Sequence, residues 1–336
     1  MIITRTPFRI SFAGGGSDLK DYYEKFGGCV LSVAIDKYMY LSIHPYFDKN
    51  SCLLKYSKTE LVNSTNEIKH PIIRNVFKRY NIKGVDFNSI ADIPAGTGLA
   101  SSSAFTCGLI NLCNVAKDKY MNKEEIAKLA CEIEIEDLKE PIGKQDQYAC
   151  ACGGINFIEF QKNGSVDVEK LFLKTDTYNS LQENLLVFYT GKTRKAGSIL
   201  SAQKENIQHD EAKIQNLHKM VKLAKDLKIE LLNGNVNSMG EILHTGWNYK
   251  KELANGISDS SIDDIYNLAI SKGALGGKLL GAGGGGFLLF YVEKEKQRDV
   301  RIALKNLQEL NFKFDNKGTS VIHYNKTTLY KEPIEC

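Results

Sequence analysis

The chain has 336 residues, 43% hydrophobic and 25% charged, close to the globular average. Its 44 basic and 40 acidic residues leave a net charge of +4 spread along the whole length with no run of five like charges, which argues against nucleic-acid binding. The length exceeds the size at which one core usually stops growing, so two domains of roughly 150 to 180 residues are expected.

In chain order, residues 2–12 and 29–45 carry the β-branched and aromatic runs of strands. Between them stands Pro7-Phe8-Arg9-Ile10-Ser11-Phe12-Ala13-Gly14-Gly15-Gly16-Ser17-Asp18, an arginine-bearing strand that enters three glycines and ends on a carboxylate. The glycines leave room for a ligand near the backbone, and the carboxylate can accept two sugar hydroxyls; a tight turn capped by Ser17 or Asp18 ahead of a helix over 19–25 is an equally good reading of this segment alone. A helix over 71–80 and a strand over 85–90 lead into Pro94-Ala95-Gly96-Thr97-Gly98-Leu99-Ala100-Ser101-Ser102-Ser103-Ala104. A glycine-rich loop that opens a helix aims bare N–H groups and partial positive charge at one point, which suits phosphate. No Lys-Ser or Lys-Thr pair follows the glycines, so this is not a Walker A loop and its cation must come from elsewhere.

Phe105, Leu109, Leu112, Cys113 and Ala116 recur at helical spacing, predicting a helix that starts near Ser102. Asn122 and Glu125 form a capping-box pattern, with Ile126, Leu129 and Ile133 along one face until Pro141. A short helix over 142–152 holds Gln145-Asp146-Gln147, and the polar segment 162–180 is the expected boundary between domains at 1–170 and 171–336. The second half predicts a strand over 185–190, helices within 198–228, 236–253 and 260–272, strands over 275–280 and 287–292, a helix over 296–310 and a last strand over 320–324. That order fits an α+β fold with helices on one side of an antiparallel sheet. Five glycines in Gly281-Ala282-Gly283-Gly284-Gly285-Gly286 exceed what a hairpin turn needs, so a ligand or another loop must come close there.

The eight cysteines lack Cys-x-x-Cys spacing and are expected to be free thiols, and no histidine pattern proposes a zinc site. The first residues do not resemble a secretory leader, and no segment has 18 uninterrupted apolar residues, so a cytoplasmic protein with no membrane partner is expected.

The three glycine segments, in this order and spacing, resemble the GHMP kinases, the superfamily of galactokinase, homoserine kinase and mevalonate kinase. The resemblance implies a two-domain α+β fold, a ribosomal-protein-S5-domain-2-like α/β unit followed by a ferredoxin-like unit, with the site in the cleft between them. It implies that 94–103 wrap the phosphates of ATP, and that Ser103 and Glu134 hold Mg²⁺. Glu136 and Asp137 stand close enough to Glu134 to compete for that role. It matches Asp146 to the catalytic aspartate and Arg9 to the basic residue paired with it. An attacking hydroxyl must lose a proton while charge is redistributed on the γ-phosphoryl group, so a carboxylate beside a cation serves both needs. Ala100 departs from a position that is often Gly or Ser, and Lys192 from one that is commonly apolar.

Within the superfamily, Gly14 to Asp18, Gly143 to Ala149 and Phe188-Tyr189-Thr190-Gly191-Lys192-Thr193-Arg194-Lys195-Ala196 are most similar to sugar 1-kinases that act on D-glycero-D-manno-heptose 7-phosphate. That similarity implies a small sugar phosphate as partner, phosphorylated on its anomeric C1 hydroxyl, on the way to a GDP-activated heptose for surface polysaccharide. Gly15, Gly16, Ser17, Asp18, Thr193, Arg194, Gly283 and Gly284 are its implied substrate contacts. The cations at 192, 194 and 195 also suit a solvated turn, and His244 to Trp247 with Lys250 and Lys251 resemble a helix bordering the substrate cleft, although a single Trp on a helix is more often core. A kinase for fucose or galactose, or a silent sugar sensor, are the competing readings, and a homodimer is compatible with the sequence.

Overall fold

The computed structural model describes residues 1–193 and 197–325. Two long strands organise the first unit. β1 (Ile2–Ala13) and β2 (Gly28–Pro45) run antiparallel, joined through helix α1 (Lys20–Phe26). β2 serves different partners along its length, because 28–33 pair with β6 (Ile155–Phe160) and 39–45 with β5 (Val85–Ala91). β3 (Cys52–Lys55) and the edge strand β4 (Thr59–Val62) extend the sheet beyond β5, and β7 (Val166–Lys170) extends it beyond β6.

Helices α2 (Pro71–Tyr80), α3 (Ser101–Ala116), α4 (Lys123–Cys131) and α5 (Gln145–Cys152) accompany this sheet. α3 is apolar almost all round, as a helix enclosed by sheet and helices should be. It lies close to β1 because Gly108 has no side chain: a Cβ there would sit 2.8 Å from Thr6 Oγ1, and the Gly108 carbonyl accepts the Thr4 hydroxyl at 3.1 Å. The predicted capping box opens α4, with both Asn122–Glu125 bonds formed.

The second unit comprises β8 (Leu185–Tyr189), α7 (Gly197–His209), α8 (Glu211–Asn233), α9 (Ser238–Lys251), α10 (Ser260–Ser271), β9 (Gly276–Leu279), β10 (Phe287–Tyr291), α11 (Gln297–Ala303) and β11 (Gln308–Glu309), with α6 (Thr175–Glu183) leading in. Its antiparallel sheet runs β11-β8-β10-β9, the ferredoxin-like order expected. A second buried cluster, centred on Trp247, Tyr266 and Phe290, fills this unit.

Four expectations change. The helix after the capping box turns into a π-helical segment, Glu132–Asp137. The predicted helix 296–310 stops at Ala303, and the chain turns back to lay β11 on β8, with the Leu310 N–H donating to the Val187 carbonyl at 2.8 Å. The polar stretch 162–180 is not all turn: β7 alternates Val166, Asp167, Val168 and Glu169, the pattern of an edge strand with one wet face. Finally, β12 (Ser320–Tyr324) leaves the second unit and pairs with β1, while the Asp315 N–H bonds the Ala34 carbonyl at 2.8 Å. Residues 314–324 therefore join the first sheet, although they lie within the span 171–336 assigned to the second domain.

Among the described residues no helix is long and apolar enough to cross a membrane. The described cysteines are free thiols, all buried except the half-buried Cys152; Cys336 lies outside the described residues. Trp247 is fully enclosed rather than lining a cleft. Trp247→Ala is expected to cost about 3–5 kcal/mol of unfolding free energy, measured in guanidinium, because the cavity cannot refill.

Candidate active site

The N-terminus of α5 gathers the site. Three consecutive side chains leave it in different directions, and each meets a different partner. Asp146 meets Arg9: the buried guanidinium gives Nε to Asp146 Oδ1 at 2.9 Å and Nη2 to the same oxygen at 2.8 Å, while Nη1 donates to the Gly98 carbonyl at 2.8 Å. Gln145 donates through Nε2 to Asp18 Oδ1 at 3.1 Å and accepts the Ser11 hydroxyl at 2.9 Å. Gln147 donates to Glu134 Oε2 at 2.7 Å. Asp146 keeps 28% of its side chain exposed and Gln145 is half-buried, whereas Gln147 is buried.

The loop 94–100 delivers the N-terminus of α3 beside Arg9. Pro94, Ala95 and Gly96 are exposed, whereas the buried Thr97 closes the turn by donating to the Pro94 carbonyl at 3.0 Å. The Leu99 carbonyl accepts the Arg9 N–H at 3.2 Å, so Gly98 and Leu99 fix the loop to β1 with their carbonyls. Ala100 sits at φ 66°, a left-handed conformation that costs an alanine about 1 kcal/mol or more and that glycine adopts freely. No side chain caps α3, which leaves its first N–H groups directed outward next to Ser101 and the exposed Ser102.

The third glycine segment packs on this loop backbone to backbone. A Cβ on Gly98 would stand 2.4 Å from the Leu280 carbonyl oxygen, and one on Gly286 would stand 2.3 Å from that of Thr97. The glycines there are therefore explained by the approach of another loop. Gly283 is buried against Ile257, and the Gly284 N–H donates to the Ile257 carbonyl at 2.9 Å, so the groups expected to meet substrate are engaged within the protein.

Glu134 is buried and accepts four hydrogen bonds, from Ser102 (2.8 Å) and Thr106 (3.0 Å) on one oxygen and from Ser103 (2.9 Å) and Gln147 (2.7 Å) on the other. The π-helical widening turns Ile133 and Glu134 inward together and leaves Glu132, Glu136 and Asp137 exposed, with Glu132 and Asp137 paired to Arg79. That separates Glu134 from its two neighbours in sequence. Burial raises its pKa against the pull of the four donors. Among the described residues no cationic side chain pairs with it, so a buried carboxylate stands beside a serine hydroxyl without a counter-charge. That donor set suits a hard divalent cation sharing its remaining ligands with water and phosphate, and Mg²⁺ fits it.

The first glycine segment divides in two. Ser17 is fully buried: its hydroxyl lies 2.8 Å from the Gly14 carbonyl and 3.0 Å from that of Cys29, and accepts the Cys29 N–H at 3.1 Å. It clamps the turn and is not free for substrate. Asp18 is buried beside the site, held by the Gly16 N–H at 2.9 Å and by Gln145, and burial followed by the negative charge of Asp146 raises its pKa. Gly143 makes room for it, since a Cβ there would lie 2.0 Å from Asp18 Oδ2. Gly15 lies next to Gln145 and Ser11 with ordinary clearance, and Gly16 turns at φ 99°.

The expected phosphate grip at 190–196 is not assembled in the described residues. Lys192 pairs with Asp259 at 2.8 Å and Ser261 at 2.6 Å, Thr193 is exposed, and Arg194 lies outside the described residues. Two buried lysines stand nearby, Lys250 on the helix expected to border the cleft and Lys278, which the sequence reading missed. Lys250 donates to the Gly281 and Leu279 carbonyls, and Lys278 donates to the Phe12 carbonyl at 3.0 Å. A lysine within Gly277-Lys278-Leu279-Leu280, between apolar neighbours at the start of a glycine loop, was the available signal.

The GHMP kinases N terminal domain model matches residues 66–154 and the GHMP kinases C terminal model matches 227–309. The chain belongs to the GHMP kinases, phosphotransferases of the sugar kinase kind that act on a hydroxyl acceptor. It is 34% identical, over 94% of its length and 97% of the other's, to the D-glycero-alpha-D-manno-heptose 7-phosphate kinase of Campylobacter jejuni. It is 25% identical to the galactokinase of Pyrococcus furiosus, over 94% of this chain and 96% of that one. Its structure resembles that of a D-glycero-D-manno-heptose 1-phosphate kinase from Bacteroides thetaiotaomicron with a TM-score of 0.80 at 26% identity, covering 97% of this chain and 100% of the other.

The raised pKa of Glu134 has a stability signature. A carboxyl whose folded pKa exceeds its unfolded value takes up protons on folding, so its contribution is full below the unfolded value near 4.5 and is lost as pH rises through the folded one. Thermal melts across that window are expected to show Glu134→Gln gaining stability relative to the unaltered protein as pH rises; parallel curves would mean that Glu134 carries no burial penalty.

Proposed function

We propose that this protein transfers the γ-phosphoryl group of ATP to the anomeric C1 hydroxyl of D-glycero-D-manno-heptose 7-phosphate, giving ADP and the 1,7-bisphosphate on a cytoplasmic route to GDP-heptose for surface polysaccharide. The observation that carries the reading is the Arg9–Asp146 pair, tied by Arg9 to the Gly98 carbonyl and by Gln147 to Glu134. The identity to the Campylobacter enzyme supports the choice of sugar.

The nucleotide phosphates would lie on the loop 94–103, against the free N–H groups of α3. Ser103 and Glu134 would hold Mg²⁺, whose charge offsets that of the phosphates when it is bound. The sugar hydroxyl oxygen forms the new bond to phosphorus, the bond to the ADP oxygen breaks, and the hydroxyl proton passes to the Asp146 carboxylate. Arg9 holds that carboxylate by one oxygen only, which leaves Oδ2 for the hydroxyl. Asp18 and the backbone of Gly15 and Gly16 border the acceptor side, and Thr193 and Arg194 are proposed to meet the substrate's own phosphate.

Asp146→Asn is expected to lower kcat by about two to four powers of ten while ATP affinity, measured at equilibrium, stays within a few-fold. Near-normal turnover would remove Asp146 from this role. ADP release over free heptose, its 1- and 7-phosphates, fucose and galactose, with the product assigned by phosphorus NMR, is expected to favour the 7-phosphate. Preference for an unphosphorylated hexose would overturn the choice of substrate, and preference for the 1-phosphate would relocate the acceptor.

A further inference from the structure

We propose that Lys250 is a positioning residue for phosphoryl transfer, its buried ammonium group clamping the third glycine loop against the Gly98 end of the nucleotide loop. The inference rests on the placement of ATP over 94–103.

At Gly98 the two loops meet backbone to backbone from both sides. A Cβ on Gly281 would lie 2.5 Å from the Gly98 Cα, and one on Gly98 would lie 2.4 Å from the Leu280 oxygen. The Gly98 carbonyl is also the acceptor for Arg9 Nη1, so a shift of Gly281 is passed to the guanidinium that holds Asp146. Backbone contacts this tight transmit displacement because neither side has a side chain to yield. The far end of the glycine loop is tied by backbone bonds, Gly284 to Ile257 and Gly286 to Lys192. At the Gly98 end, the side chain that reaches it is Lys250 from α9, bonded to the carbonyls of both Gly281 and Leu279.

A buried cation shared by two carbonyls makes charge-assisted bonds that are stronger than neutral ones. Burial, aided by the like charge of Arg9 and opposed by Asp18 and Asp146, brings its pKa down to about 8. The site maintains this lysine at a cost in desolvation, although the glycine loop has backbone ties of its own. Residues from β1, α5, α9 and both glycine loops thereby form one connected unit around the phosphate site.

The test compares Lys250→Met, which keeps the apolar stem, with Lys250→Arg, which keeps a cationic donor, by KM for ATP and for the sugar substrate, kcat, and equilibrium ATP binding. Lys250→Met is expected to weaken ATP binding and raise its KM about tenfold or more, with the sugar KM within twofold, and Lys250→Arg to recover most of the loss. Unchanged ATP binding in Lys250→Met, or equal rises in both KM values with no recovery by arginine, would overturn the proposal. Ser101→Glu separates the two levels: a glutamate is well tolerated at a helix N-terminus but repels a triphosphate there. If Ser101→Glu abolishes ATP binding while Lys250→Met leaves it intact, only the lysine's role falls. If Ser101→Glu binds ATP normally, the nucleotide placement falls with it. Should Lys250→Met not fold, Lys250→Gln is compared with Lys250→Arg by the same criteria.

Discussion

The buried guanidinium of Arg9 is the constraint from which the rest of the site follows. It issues from the middle of the long strand β1 and has three of its donors committed, two to one oxygen of Asp146 and one to the Gly98 carbonyl. Its planar fork fixes angles as well as distances, which a lysine's single ammonium could not do. Arg9 stands 89 residues before Gly98 and 137 before Asp146, and this one side chain sets the mutual geometry of the strand, the loop 94–100 and α5.

Around that fork the fold accumulates charge that a protein built for stability alone would avoid. Glu134 and Asp18 are buried carboxylates whose pKa values burial raises, and Lys250 and Lys278 are buried cations whose pKa values burial lowers. Each costs desolvation, offset in part by the hydrogen bonds that surround it. On the proposed placement of ATP these groups would be preorganised where a phosphoryl group changes charge, which would leave little reorganisation for the moment of reaction. The left-handed Ala100 at the entrance to α3 is a further local cost at the same place.

Much of this was legible in the sequence, and the parts that were not share a cause. The glycine segments, the capping box at Asn122 and the strands 2–12 and 29–45 depend on local chemistry and appear where expected. The ferredoxin-like sheet order follows from the family resemblance and is observed. Local pattern did not disclose where the chain returns: β12 joins β1 across more than 300 residues, a pairing with no local signature. Spacing from Asp146 pointed to Glu134 over its neighbours Glu136 and Asp137, but the π-helical segment that buries Glu134 and leaves those two exposed had no local signal. Two residues expected to border substrate are engaged with backbone in the structure, the Ser17 hydroxyl with the Gly14 and Cys29 carbonyls and the Gly284 N–H with the Ile257 carbonyl.

The most direct test is a crystal structure with a non-hydrolysable ATP analogue, Mg²⁺ and heptose 7-phosphate. The triphosphate is expected along 96–103 at the start of α3, with its terminal phosphorus between Asp146 and the metal held by Ser103 and Glu134. A nucleotide lodged elsewhere, with Arg9 and Asp146 far from its terminal phosphate, would contradict the central claim.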